Sequence, residues 1–262
     1  MTVKVKLLTP WFGDLPPWYG DFRRVISLNK LVEHELIHLV WDCQDWVGKG
    51  MDQYLIGGGC GVLSRLVSVK TGLPCAKNTP RACCDLRPLF GLLFEDRLTG
   101  YEWFGWCDLD ILTGNLDELV VPRLDNLDLY TVSDEQPFGS LTLVRNDSRL
   151  TKAVLNDPDY RELLRNSDYG NYDEVGFIRG TPSLDYLVRQ GGFRCLFDGR
   201  SWDEGRLVNV DGSDAQEWPT RVPEMRGNRL FELPDGREIV CYHFGSKVWP
   251  LQPDGRPIRH AC

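Results

Sequence analysis

Residues Tyr101–Asp117 read YEWFGWCDLDILTGNLD. An aromatic, apolar run breaks into Asp108-Leu109-Asp110, Ile111 and Leu112 restore the apolar character, and Thr113-Gly114-Asn115 turns the chain. A buried strand that carries acid to a sheet edge has this pattern. Side chains two apart on a strand share a face, so Asp108 and Asp110 are expected to converge while Leu109 returns to the core. Two carboxylates in an apolar setting lose hydration and repel each other unless a cation lies between them. Hard oxygen ligands of this kind suit magnesium or manganese, which keep positions open for water and substrate phosphates. A strand end that merely holds two solvated aspartates has the same tripeptide, so the rest of the chain must decide.

At 262 residues, the chain is long enough for one large α/β domain or two small ones. Nine Trp within an aromatic content of 11% point to a heavy core or a site that stacks flat rings and sugars. The net charge of −8 argues against a nucleic-acid groove but leaves room for a locally basic pocket. No stretch reaches about 18 consecutive apolar residues, so no membrane span is expected. The opening MTVKVKLLTPWFG lacks signal-peptide architecture, and a cytoplasmic setting is expected. Nine cysteines without a Cys-x-x-Cys spacing are expected to be reduced thiols, not a zinc site.

Taken in order, Val3–Leu8 read as a first strand, with Thr9–Gly13 as its loop and Pro16-Pro17 stiffening the turn beyond. Apolar spacing predicts a helix from Tyr19 to Val32, and Leu36–Trp41 a second strand closing on Asp42. Strand, helix, strand means α/β, with Trp11 and Asp42 at the carboxyl ends where open sheets hold ligands. Residues 43–80 are less legible; Gly57–Gly61 lacks the Lys-Ser or Lys-Thr of a phosphate loop and reads as a flexible loop. A helix is predicted over Ala82–Leu98, with Pro88 near its first turn or kinking it, and Arg81, Asp85 and Arg87 clustered at its entrance as if to meet a diphosphate. A salt-bridged helix start fits those three residues equally well.

Leu116–Leu124 is expected to be a short helix, Leu127–Val132 and Leu141–Arg145 strands, and residues 149–167 helical. Ser133–Ser140 is a polar loop suited to a second substrate, and Tyr169–Glu174 has the composition of a binding loop or a surface turn. Further strands are predicted at Phe193–Phe197 and Val208–Val210, with a hairpin joining Arg229–Leu233 to Arg237–Phe244 through Pro234-Asp235-Gly236. The last motif, Tyr242–Pro250, places His243 at a strand end, where a neutral imidazole can complete a metal site, and Lys247 four residues on as a point charge for phosphate.

Asp108-x-Asp110 after an apolar strand, followed by Thr-Gly-Asn-Leu-Asp-Glu-Leu and later by His-Phe-Gly-Ser-Lys-x-Trp, resembles the metal-dependent glycosyltransferases of the GT-A fold. It is most similar there to the retaining glycogenin and lipopolysaccharide galactosyltransferase group. Pro10–Pro16, Cys84–Pro88, Phe104–Asp110 and Tyr172–Glu174 resemble, in the same order, a bacterial family of GT-A-like transferases associated with polysaccharide biosynthesis. The resemblance implies a GT-A-like (Rossmann-like) α/β fold with a mixed central sheet, flanking helices and a C-terminal elaboration. It also implies a nucleotide-diphosphate sugar donor, with UDP favoured, and a glycan or other hydroxyl-bearing acceptor. Mn2+ or Mg2+ would be held by Asp108, Asp110 and His243. Lys247 would meet the phosphates, Asp85 and Arg87 would lie near the donor, and Trp11 beside the base. Asp173 or Glu174 would receive the acceptor hydroxyl or stabilise the sugar cation. Residues 43–80 have no counterpart in that pattern.

No repeat or low-complexity linker divides the chain, so one domain over 1–262 is expected, with a donor-nucleotide half at 1–132 and an acceptor half at 133–262. A nucleotidyltransferase uses paired aspartates and metal as well, and a non-catalytic nucleotide- or glycan-binding domain keeps the same fold; both readings stay open at this point.

Overall fold

The computed structural model describes residues 3–40, 47–49, 53–137, 139–174, 183–203, 222–233 and 236–244. Trp41, Asp42, Val208–Val210 and Lys247 lie outside them. The chain forms a mixed α/β structure around an eight-stranded sheet. Its first half supplies β1 (Val5–Phe12), α1 (Tyr19–Ile26), β2 (Val32–Val40), β3 (Val47–Lys49), β4 (Gln53–Gly57), α2 (Cys60–Thr71) and α3 (Phe90–Leu93). Then come β5 (Trp103–Cys107), β6 (Ile111–Thr113), α4 (Leu116–Leu119), β7 (Leu129–Thr131) and β8 (Leu141–Arg145). The second half adds α5 (Arg149–Asn156), α6 (Pro158–Arg165), α7 (Leu184–Gln190), β9 (Cys195–Phe197), β10 (Ser201–Asp203), β11 (Val222–Arg226), β12 (Arg229–Leu233), β13 (Arg237–Ile239) and β14 (Cys241–His243).

The sheet order is β3-β4-β2-β1-β5-β8-β7-β9. Strands β4, β2, β1 and β5 run parallel, and the chain turns antiparallel at β8. The central strands are apolar almost throughout because both faces are covered. Leu7 and Trp103 belong to one core, with Phe22, Val25 and Ile26 of α1; their chain neighbours Leu8 and Phe104 belong to the other, with Leu63 and Val67 of α2. No described helix is long and apolar enough to cross a membrane.

Several boundaries differ from the sequence reading, each for a local reason. β1 runs on to Phe12 in register with β2, so Trp11 sits on a strand end and not in a loop. Helix α1 stops at Ile26 instead of Val32 because Asn29 turns its side chain to other backbone groups. Its amide donates to the carbonyls of Ile26 and Gly114, both at 3.3 Å, and its oxygen accepts from Leu116 N–H at 2.7 Å. The Gly57–Gly61 run is a strand-to-helix turn: Gly58 and Gly59 take positive φ (89° and 59°) between β4 and α2. Ala82–Leu98 is not one α-helix. Pro88 has no N–H for the α-helical ladder, and Ala82–Leu89 winds as a 3-10 helix before α3. Residues 149–167 break at Asp157-Pro158, where Pro158 opens α6 and Asp157 caps it by accepting from Asp159 N–H at 2.9 Å.

Two three-stranded sheets flank the main one, β10-β14-β6 and β11-β12-β13. The expected hairpin is present as β12 and β13, pairing Leu230 with Ile239. Beyond it Val240 leaves that sheet, and β14 pairs antiparallel with β6, setting His243 opposite Ile111.

Gly105 lies where β5 and β8 come closest: a Cβ there would stand 2.3 Å from the Thr142 carbonyl oxygen and 2.6 Å from a Leu143 methyl carbon. Gly105→Ala is therefore expected to force the two strands apart and cost about 3 kcal/mol, read as a lowered denaturant midpoint in chemical unfolding.

Candidate functional site

β5 ends at Cys107, and Asp108-Leu109-Asp110 forms the bend between it and β6, which belongs to a different sheet. Asp108 and Asp110 thus converge through a bend, not through alternation along one strand, while Leu109 is fully buried as expected. The bend is held from three sides. Asp108 N–H donates to the Ser140 carbonyl at 3.1 Å, and Phe244 N–H to the Asp110 carbonyl at 3.0 Å. Trp18 Nε1–H donates to the Leu109 carbonyl at 3.1 Å, and its ring meets Phe244 edge-on with centroids 5.8 Å apart.

The β6–β14 pairing brings His243 to this bend. Its Nε2 lies 3.4 Å from Asp110 Oδ2, and Asp108, Asp110 and His243 each offer a ligand atom within 4.8 Å of the others. A divalent cation bonded at about 2.1 Å sets its ligand atoms roughly 3 to 4 Å apart, so this donor set fits manganese or magnesium after a small contraction. Burial pushes the Asp108 carboxyl above its usual range and Asp110 adds to the effect, while Arg87 and His243 hold it down. A cation among these groups relieves that burden directly.

Arg87 is the buried hub beside the bend. Nη2–H donates to Asp108 Oδ1, and Nη1–H to Asp173 Oδ2 at 2.8 Å and to the Gly139 carbonyl at 2.7 Å. Burial works against the guanidinium charge, and the carboxylates of Asp108 and Asp173 more than offset it. Asp173 is fully buried, which drives its carboxyl up to about 7 despite Arg87, with Glu174 and Asp85 adding to the rise. Glu174 Oε1 accepts from Gly139 N–H at 2.8 Å. A Cβ at 139 would stand 2.7 Å from Glu174 Oε1 and 2.8 Å from Arg87 Nη1, so any larger residue there displaces these two side chains. Gly139 and Ser140 are thus tied to the site through Arg87 and Asp108.

Asp85 does not accompany Arg87 into the site. It is fully buried, ion-paired at 2.9 Å with the equally buried Lys77, and accepts from Gly170 N–H at 2.8 Å and Tyr172 N–H at 2.9 Å. Asn171 between those donors has φ +55°, so the loop wraps its amides around the carboxylate as an anion nest. Lys77 Nζ also donates to the Asp168 carbonyl. The pair therefore fixes the loop that carries Asp173 and Glu174. The sequence reading missed Lys77 and Trp18 and named Gly139 only as part of the Ser133–Ser140 loop; a lone lysine or tryptophan in unpatterned sequence gives no signal of such a contact.

A cavity of about 260 Å³ opens beside these groups, lined by Trp11, Arg81, Cys84, Arg87, Asp108 and Asp110 among others. Trp11 is half-buried there, its Nε1–H donating to the Asp14 carbonyl at 2.8 Å. Burial raises the Cys84 thiol to about 12, so it stays neutral. A larger cavity of about 520 Å³ lies elsewhere, by Glu95 and Asp147. Those carboxylates are engaged by Lys70 at 2.8 Å and by Arg149 N–H at 3.0 Å, and it is the smaller cavity that borders the metal-capable cluster.

Fold and site together define an α/β protein with an acidic, metal-capable centre at the carboxyl ends of β1 and β5. The sequence matches a family of unknown function, DUF6625, over residues 7–204, and the chain belongs to that family. No curated protein sequence matches it. Among solved structures it is similar to mouse xyloside xylosyltransferase 1 in its apo form (12% identity, TM-score 0.47, covering 93% of this chain and 98% of that one). It is also similar to the galactosyltransferase LgtC with donor and acceptor sugar analogues (10%, 0.44, covering 95% and 90%). A third is a glycosyltransferase involved in glycosylation of the major capsid of PBCV-1 (12%, 0.43, covering 92% and 94%). All are loose overlaps of distant sequences.

Lys77→Met is expected to leave the Asp85 charge buried without its partner and to destabilise the protein by about 3–5 kcal/mol, measured by chemical unfolding; a smaller loss in Asp85→Asn/Lys77→Met would show that the unpaired charge is the cause.

Proposed function

We propose that the chain is a metal-dependent glycosyltransferase with a GT-A-like fold, moving a sugar from a nucleotide-diphosphate donor to a hydroxyl-bearing acceptor such as a glycan. The observation that carries this is the convergence of Asp108, Asp110 and His243 to within 4.8 Å beside a cavity walled by Arg87 and Trp11. The order of motifs along the sequence supports the same reading. When bound, Mn2+ or Mg2+ supplies Lewis acidity and positive charge to a leaving diphosphate.

The chain's own residues do the rest. Asp108, Asp110 and His243 hold the cation, and Arg87 fixes the Asp108 carboxylate in its ligating position. Asp173 keeps Arg87 in place from beneath. Because Asp173 is fully buried on Arg87, Glu174 is the member of that pair we assign to face the acceptor hydroxyl or the sugar cation, oriented by Gly139 N–H. Trp11 offers a flat face for the nucleotide base, and Lys247 a charge for the phosphates. UDP-sugars as donors, retention of configuration, a place in polysaccharide synthesis and a cytoplasmic setting belong to the same proposal. They derive from the motif resemblance; the free thiols of the described cysteines accord with a reducing compartment.

The test is release of nucleoside diphosphate from a panel of UDP-, GDP-, CDP- and TDP-sugars, each with Mn2+ or with chelator. One donor class should be turned over with metal only, and Asp110→Asn should lower that rate at least about a hundredfold while melting within a few degrees of wild type. Turnover indifferent to chelator and to Asp110→Asn would remove the metal assignment. Pyrophosphate released from a nucleoside triphosphate would identify nucleotidyl transfer instead.

A further inference from the structure

The charges around the cavity do not balance evenly. Arg87 is a cation only formally, since Asp108 and Asp173 both bond to it. Asp108 and Asp110 are then available to a divalent ion, which they and His243 bring close to neutrality. A nucleoside diphosphate carries two to three further negative charges into the same space. Among the described lining residues, one cation is left without a counter-charge: Arg81.

Many other described arginines are engaged by carboxylates or by backbone carbonyls, as in Arg97 with Glu35, Arg149 with Asp128 and Arg145 with the Leu127 carbonyl. The Arg81 guanidinium has no ion pair and no hydrogen bond among the described residues. Its contact is the face of Tyr169, 5.1 Å from the ring centroid. That stack restricts the side chain without using any of its five N–H donors. Tyr169 is itself fixed, donating from its hydroxyl to Asn171 Oδ1 and lying 3.4 Å from Asp173 Oδ1. A guanidinium held by its face, with its donors unused, at the wall of a cavity that gathers a metal-capable cluster is suited to bidentate capture of phosphate oxygens.

We propose that Arg81 binds the diphosphate of the donor, sharing with the metal the negative charge that builds on the leaving group. This rests on the glycosyltransferase reading and adds to it a phosphate-binding residue in the same cavity lining as Asp108 and Asp110. Arg81 is exposed and caps no side-chain network, so replacing it leaves the fold intact.

The test is calorimetric titration of wild type, Arg81→Gln and Arg81→Lys with inorganic pyrophosphate, with UDP, GDP, CDP and TDP, and with the matching nucleosides, all in Mn2+. Arg81→Gln should bind pyrophosphate and the preferred diphosphate at least about tenfold more weakly, Arg81→Lys should recover part of the loss, and nucleoside binding and melting temperature should not change. Equal diphosphate affinity in wild type and Arg81→Gln overturns the Arg81 assignment and leaves the transferase reading standing. Failure of wild type to bind any diphosphate with metal overturns the transferase reading, and this assignment with it. Equal weakening of nucleoside and diphosphate would also overturn it, since Arg81 would then be shaping the base pocket.

Discussion

The site depends on one buried guanidinium. Arg87 reaches from a 3-10 helix to the bend after β5, to the loop before β8 and to the loop after α6, through Asp108, the Gly139 carbonyl and Asp173. Burying a guanidinium is costly unless its donors are matched by acceptors and its charge by carboxylates. Here the two Nη groups find their acceptors only when all three segments are in place, while Nε has no partner among the described residues. Arg87 thus acts as a geometric test of the folded site: each carboxylate has its position because the other is needed to neutralise the same cation. Asp85, two residues before it, does the same work in the opposite direction, holding the 168–172 loop around its own buried ion pair with Lys77. One short helical segment therefore positions both sides of the cradle.

The second requirement is long-range. His243 reaches the aspartates only because the chain leaves the β12–β13 hairpin at Val240 and pairs β14 with β6. Phe244 N–H then bonds to the Asp110 carbonyl, and Trp18 bridges the two by donating to Leu109 and packing on Phe244. The candidate metal ligands come from the middle of the sequence and from residue 243, more than 130 residues on, so the cluster exists only in the folded chain and any cation it takes is coupled to folding.

Sequence alone carried the α/β architecture because strands such as β5 and β8 are apolar on both faces and stand out against polar loops. It also singled out Asp108, Asp110 and His243, each at the point where an apolar run gives way to a side chain able to ligate a metal. It misjudged how the aspartates meet, because a bend between two sheets and a continuing strand share the same apolar-acid-apolar pattern. The spacing of Asp85 and Arg87 reads as that of neighbours at one helix entrance. Yet residues two apart on a 3-10 helix are turned by about 240° from one another, and the structure sends one into the core and the other into the site. Strands β3 and β4 were hidden in residues 43–80, where short strands beside a glycine-rich turn carry little pattern. The expectations for Trp41-Asp42, Val208–Val210 and Lys247 fall outside the described residues.

The most direct measurement is the anomalous scattering of manganese in crystals grown with Mn2+ and the nucleoside diphosphate that the protein binds. The account predicts one strong peak at bonding distance from Asp108, Asp110 and His243, with Arg87 still bonded to Asp108 and Asp173. A peak elsewhere, or none in crystals whose dissolved protein turns over a sugar nucleotide, would contradict it.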